Sequence, residues 1–173
     1  MEQAHSLPVK SINIELTLSK NKTEILVNKE IRQVGALCFQ ITPEENPKIL
    51  LITSRRSQRW IIPKGWPIKG LKSYKVAEQE AFEEAGALGT TFDMCLGSYS
   101  YIKKLDQGLS KRIVYVYPLK VENLISDYDE AHERSREWFN ISKAKELLSE
   151  PGLKDILTNF KPKLLLNAKY LRQ

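Results

Sequence analysis

The sequence predicts a single α/β domain: a mixed β-sheet with helices on both faces. Three observations point there. At 173 residues the chain has the length of one domain. With 42% hydrophobic and 28% charged residues it can bury a core and is not composed like a disordered chain. Its hydrophobic patterning runs strands, helix, strands, helices, an order that suits a sheet covered on both sides.

Taken in order, Ser11 to Leu18 alternates apolar and polar residues and reads as a short strand or arm. Gln33 to Ile41 is a nearly continuous apolar run, the pattern of a buried strand. The turn-forming segment Thr42 to Pro47 joins it to a second strand, Lys48 to Ser54, making a hairpin. Arg59 to Pro63 is a third, short strand stopped by its proline. Lys64 to Gly70 reads as a loop, with two glycines and one proline in seven residues. Ser73 to Ala85 is rich in Ala and Glu and free of Gly and Pro, and Gly86 is placed to end it as a helix. Phe92 to Ile102 and Arg112 to Val121 carry the aromatic and β-branched residues of strands, and Arg136 to Asn140 is a further short one. Ile141 to Leu148 reads as a helix. Leu153 to Leu171 reads as another, with Pro162 inside or breaking it.

Other classes are set aside on composition. No apolar run approaches the ~20 residues that span a bilayer, and the first residues do not read as a signal peptide, so a cytoplasmic protein is expected. Cys38 and Cys95 are isolated and read as reduced thiols, and two histidines, His5 and His132, are too few for a His/Cys zinc centre. The net charge of +6 favours anionic partners, but no RNA- or DNA-binding motif accompanies it, and nucleic acid is not the expected partner.

The placement of charge is more informative than its sum. Seven basic residues, Arg55, Arg56, Arg59, Lys64, Lys69, Lys72 and Lys75, lie between positions 55 and 75 without one acid among them. Glu78, Glu80, Glu83 and Glu84 follow at once. At about 100° per residue, Glu80, Glu83 and Glu84 share an arc of roughly 100° on the helix. Such carboxylates repel one another unless a cation sits among them, and Mg²⁺ or Mn²⁺ prefers oxygen ligands of this kind. For the helix alone, a solvated acidic face is the alternative. A basic loop leading into an acidic helix can hold a metal ion and a phosphate chain together.

Gly65-Trp66-Pro67-Ile68-Lys69-Gly70-Leu71, seven residues, then Gln79-Glu80-Ala81-Phe82-Glu83-Glu84-Ala85-Gly86-Ala87 resembles the signature of the Nudix hydrolases. Trp60-Ile61-Ile62-Pro63-Lys64-Gly65 resembles the lead-in of the diadenosine and diphosphoinositol polyphosphate hydrolases within that family. The resemblance extends from about Gln33 to Leu153. It implies a Nudix-like α/β/α sandwich with a central mixed sheet over residues 31–173, with residues 1–30 as an N-terminal extension or arm. It further implies a divalent-metal-dependent pyrophosphohydrolase, using Mg²⁺ or Mn²⁺, whose substrate is a nucleoside diphosphate linked to another moiety, most of all a dinucleoside polyphosphate.

The resemblance also assigns roles. Glu80, Glu83 and Glu84 match the metal-holding carboxylates, and the carbonyl of Gly65 matches a further metal contact. Glu83, Glu84 and an acid outside the signature, Glu130 ahead of Glu133, are the catalytic candidates. Lys64 is placed to reach a bridging phosphate, with Arg55, Arg56, Lys111 and Arg112 as further substrate-binding candidates. Apart from the resemblance, Trp66, Phe92, Tyr99 and Tyr101 are candidates to stack a base, with a place in the core as the commoner role of strand aromatics. Two positions depart from the family pattern: Leu71 stands where a Glu belongs and Gln79 where an Arg belongs. They leave open a second reading, a Nudix-like module that binds a nucleotide without cutting it.

Overall fold

The computed structural model describes residues 13–19, 22–28, 30–43, 46–105 and 108–170. Ser11 and Ile12 of the expected first strand, and Leu171 of the expected last helix, lie outside the described residues. The chain divides into two compact units, residues 1–31 with 101–112, and residues 32–100 with 113–173. In the first, β1 (Asn13–Ser19) and β2 (Lys22–Asn28) form an antiparallel hairpin, and Leu26 of β2 lies in parallel register with Leu109 of β9 (Gly108–Leu124).

The second unit carries the site. Its strands run in the order β9, β3 (Ile31–Ile41), β4 (Pro47–Thr53), β10 (Arg136–Asn140). The expected hairpin forms, with Phe39 opposite Ile49, and β10 pairs antiparallel to the other edge of β4. With the parallel β2–β9 register, the strand pairing is of mixed direction.

Helices cover both faces, because β3 and β4 are buried along both of their sides. On one face Val34, Ala36 and Cys38 of β3 pack with Leu50, Ile52, Val76, Ala77, Ala81 and Ala85. The last four belong to α1 (Ser73–Ala85), whose small residues let it lie close against the sheet. On the other face Phe39 meets Phe160, ring centroids 5.1 Å apart, at the end of α3 (Pro151–Asn159), which follows α2 (Ile141–Leu147). Burial pushes the Cys38 thiol up to about 12, so it behaves as a small apolar core residue.

Two expectations are corrected, and an open alternative is decided. The segment expected as a loop from Lys64 to Gly70 begins as a strand, β6 (Lys64–Gly65), paired with Val34 and Gly35. It follows β5 (Trp60–Ile61) almost directly, because Pro63 interrupts but does not end the pairing on β3 and β4. The strand expected over Phe92 to Ile102 starts only at Gly97, as β8 (Gly97–Leu105). Ahead of it runs a strand the sequence did not announce, β7 (Ala87–Thr91), whose Ala and Gly have little strand preference. Of the two outcomes open for Pro162, inside the last helix or breaking it, the break is found: Pro162 opens a separate helix, α4 (Pro162–Tyr170), where its missing N–H costs nothing.

Gly89 shows why β7 exists. It lies at an irregularity in the β7–β9 register, and a Cβ built there would stand 1.9 Å from the carbonyl oxygen of Lys120. Only a residue without a side chain lets the two strands close. Gly89→Ala is expected to cost about 1–3 kcal/mol of stability through overpacking against backbone, measurable as a lower midpoint in urea with an unchanged slope.

Candidate functional site

The site is assembled by α1, by the β5–β6 segment before it, and by the loop from Ile125 to Ser135. Gly86 ends α1 in the left-handed conformation, φ 59°, with its N–H on the Phe82 carbonyl at 2.8 Å. The chain returns past the same helix end. Ile125 donates to the Gly86 carbonyl at 2.9 Å and Glu130 donates its N–H to the Glu83 carbonyl at 3.2 Å. Arg136 donates to the Ala85 carbonyl and lies 4.8 Å from the Tyr128 ring centre. The Thr53 N–H donates to the Ser135 carbonyl and the Ser135 N–H to the Thr53 hydroxyl, each at 2.9 Å, tying the loop's far end to β4. The loop that carries Glu130 is therefore fixed to both helix and sheet.

Glu80 lies directly over Gly65: a Cβ at that glycine would stand 1.8 Å from Glu80 Oε1. The signature glycine is thus the cradle of the first signature carboxylate. Glu84 is buried, accepting the Lys64 backbone N–H on Oε2 at 2.9 Å and pairing through Oε1 with Arg134. Glu83 accepts from the Gln79 amide at 2.7 Å. The residue in place of the family's Arg still orients its neighbour, through a neutral donor. Leu71, the other departure, is 39% exposed and lines an open groove with Lys75, Glu78, Gln79 and Phe82.

Glu130 comes to the same place. Arg134 pairs with its Oε2, and Arg55 with its Oε1 at 3.2 Å. Glu133, the second candidate outside the signature, is exposed and, among the described residues, forms its ion pair with Arg55, at 3.7 Å. Arg56 lies exposed in the turn after β4. Lys111 is exposed and Arg112 buried on β9, both in the first unit. Of the aromatic candidates, Tyr99 is buried and Phe92 packs on Phe39 with ring centres 6.5 Å apart; both serve the core. Trp66 is half exposed next to Gly65.

Arg134 is the residue that sequence reasoning passed over. Its side chain is 5% exposed, and its three nitrogens go to Glu84, Glu130 and, at 2.9 Å, the carbonyl of Thr53. The available signal was its spacing, four residues after Glu130.

The electrostatics follow from this crowding. Burial first, then Glu84, Glu83 and Glu130, push the Glu80 carboxyl up to about 7, against the opposing charge of Lys64. Glu84 is also raised, by burial, though Arg134 and the Lys64 N–H work the other way. Among the described residues no three His, Cys, Asp or Glu side chains form a ready-made metal cluster. The donor set nevertheless fits a hard divalent cation. It is all oxygen, it is crowded enough to hold a proton near neutrality, and the carboxylates keep lone pairs beyond those used by Arg134 and Gln79.

A raised carboxyl binds its proton more tightly in the folded than in the unfolded chain. Glu80 therefore supports the metal-free fold fully below about pH 4.5 and loses that support as pH rises toward 7. Glu80→Gln is expected to flatten the decline in melting temperature between pH 5 and 7.5 in chelator and to raise stability at pH 8. A decline as steep as that of the unaltered chain would show that Glu80 is not crowded.

Comparison with known proteins gives a consistent result. A family model described as the NUDIX domain matches residues 31–160. Human diphosphoinositol polyphosphate phosphohydrolase 3-beta is 31% identical over 119 residues, 68% of each chain. Among solved structures, a binary complex of the C. elegans Ap4A hydrolase superposes with TM-score 0.58 at 16% identity, covering 78% of this chain and 98% of that one. The NUDIX domain of Shewanella oneidensis NrtR, complexed with ADP ribose, superposes with TM-score 0.56 at 12% identity, over 75% of this chain and 86% of that one.

Proposed function

This chain belongs to the Nudix family and is a hydrolase of phosphoanhydride bonds, and from that premise we propose that it cleaves a dinucleoside polyphosphate with the help of a divalent metal ion. The observation that carries the reading is Glu80 cradled on Gly65 among Glu83, Glu84 and Glu130, directly after a basic segment. Glu80, Glu83 and Glu84 would hold Mg²⁺ or Mn²⁺, with the Gly65 carbonyl beside them. When bound, such an ion neutralises charge on the phosphate oxygens as the leaving phosphate departs.

The residues of the chain supply the remaining work. Lys64 fixes Glu84 through its backbone N–H, and its ammonium would meet a bridging phosphate oxygen. The exposed Arg56, Lys69 and Lys72 extend the positive field along a phosphate chain. Glu130, held between Arg55 and Arg134, is the candidate base. It takes a proton from water as the water oxygen bonds to phosphorus and the anhydride P–O bond breaks. No covalent enzyme intermediate is needed.

A second substrate reading rests on the 31% identical human relative, whose name specifies diphosphoinositol polyphosphates. A binding module without turnover is favoured only by Leu71 and Gln79. A panel of dinucleoside polyphosphates, a diphosphoinositol polyphosphate and ADP ribose, run with Mg²⁺ and with Mn²⁺, separates the three. We expect kcat/KM to rise from diadenosine diphosphate to tetraphosphate. The rise should shrink with salt, since exposed charges are screened over about 8–10 Å at ~0.1–0.15 M, and Lys64→Ala should flatten it. A flat series with preference for the inositol compound would replace the dinucleotide assignment.

A further inference from the structure

We propose that Arg134 is a positioning residue of this site: a built-in counter-charge that couples the metal-holding Glu84 to the candidate base Glu130, restraining metal affinity in exchange for a fixed base. The inference rests on the function proposed above and concerns a residue outside the signature. One guanidinium spans two chain segments, pairing Nη2 with Glu84 of α1 and Nε with Glu130 of the loop. Its third nitrogen, Nη1, is locked on the Thr53 carbonyl at the end of β4, at 2.9 Å. A planar fork with three engaged nitrogens cannot drift as an exposed lysine does, so the two carboxylates are held at a set separation.

The other contacts of Glu130 do not do this. Arg55 touches the opposite oxygen, is about half exposed, and shares itself with Glu133. The backbone bond from Glu130 to the Glu83 carbonyl places the main chain but leaves the carboxylate free to rotate. The same guanidinium brings a permanent positive charge next to the acids that would hold a divalent ion. It must therefore weaken the pull on that ion while it steadies the base. An ordinary structural ion pair would not oppose these two properties; losing it would loosen the site and weaken both.

The test measures them separately. Mn²⁺ binding is followed by titration calorimetry on the full chain without substrate, and kcat and KM on diadenosine tetraphosphate. Arg134→Gln removes the charge. It is expected to tighten Mn²⁺ binding about three- to tenfold, as like-charge repulsion is relieved at short range, and to lower kcat at least about tenfold with little change in KM, as expected for loss of a supporting contact. Arg134→Lys keeps the charge but not the fork. It is expected to bind Mn²⁺ within about twofold of the unaltered protein, on the same charge argument, yet to be slowed like the Gln variant.

Unchanged or weaker Mn²⁺ binding in a folded Arg134→Gln protein overturns the proposal. If that variant does not fold, a fully active Arg134→Lys protein overturns it, because the fork would then be dispensable. Failure of the unaltered protein to bind Mn²⁺ is a different result: it removes the metal-site reading itself, and this inference with it.

Discussion

Glu83→Gln and Glu84→Gln are each expected to lower turnover by about 10²–10³-fold while the fold persists. The figure follows from the several kcal/mol of charge stabilisation that a bound divalent ion supplies, at 1.36 kcal/mol per factor of ten. The two substitutions should differ in everything except activity. Glu83 is held by one neutral amide, from Gln79, so its loss leaves little behind. Glu84 is buried and shares Arg134 with Glu130. An uncharged amide there removes one of the two carboxylate partners of a buried guanidinium, and breaking such a pair costs about 3–5 kcal/mol where no second carboxylate remains. With Glu130 still in place the loss should be smaller, but a drop in melting temperature should appear for Glu84→Gln and not for Glu83→Gln. Steady-state kinetics with thermal melts checks both, and near-normal turnover in both variants would remove the carboxylates from the chemistry.

Gly65→Ala should separate activity from stability even more cleanly. The added methyl would fall 1.8 Å from Glu80 Oε1, far inside the 3.0 Å below which something must move. What moves is the end of a flexible side chain, so the backbone pays little. The carboxylate, however, must shift by more than 1 Å, and a misplacement of that size costs about 10²-fold in rate. We expect kcat/KM to fall by about that factor, with Mn²⁺ affinity reduced and a melting temperature within a few degrees of the unaltered chain. Retained activity would mean that Glu80 works from another position. The contrast is Gly89, where the obstacle is the Lys120 carbonyl and the cost falls on folding instead.

The elements legible in the sequence were those whose own residues decide them. The α1 helix could be read end to end because Ala and Glu favour it, Gly70 precedes it and Gly86 closes it. The strands β3, β4 and β10 were legible from apolar and aromatic runs. The strand β7 was not, since its Ala and Gly are chosen by close approach to β9, a partner some thirty residues away. The same division holds at the site. The three signature acids lie on one helix, so their shared face follows from helical geometry. That Glu130 and not Glu133 reaches them depends on hydrogen bonds from the loop to the carbonyls of Glu83 and Gly86, which no local pattern encodes. Arg134 was hidden for the same reason: its role exists only once Thr53, Glu84 and Glu130 have been brought together.

The most direct test of the account is a divalent-metal titration of the hydrolysis of diadenosine tetraphosphate, with the nucleotide products quantified and Glu83→Gln run alongside. The account predicts cleavage that saturates with Mg²⁺ or Mn²⁺, stops in chelator, and falls by about 10²–10³-fold in the variant. Tight binding of the polyphosphate with no cleavage at any metal concentration, or cleavage at full rate in chelator, would contradict it.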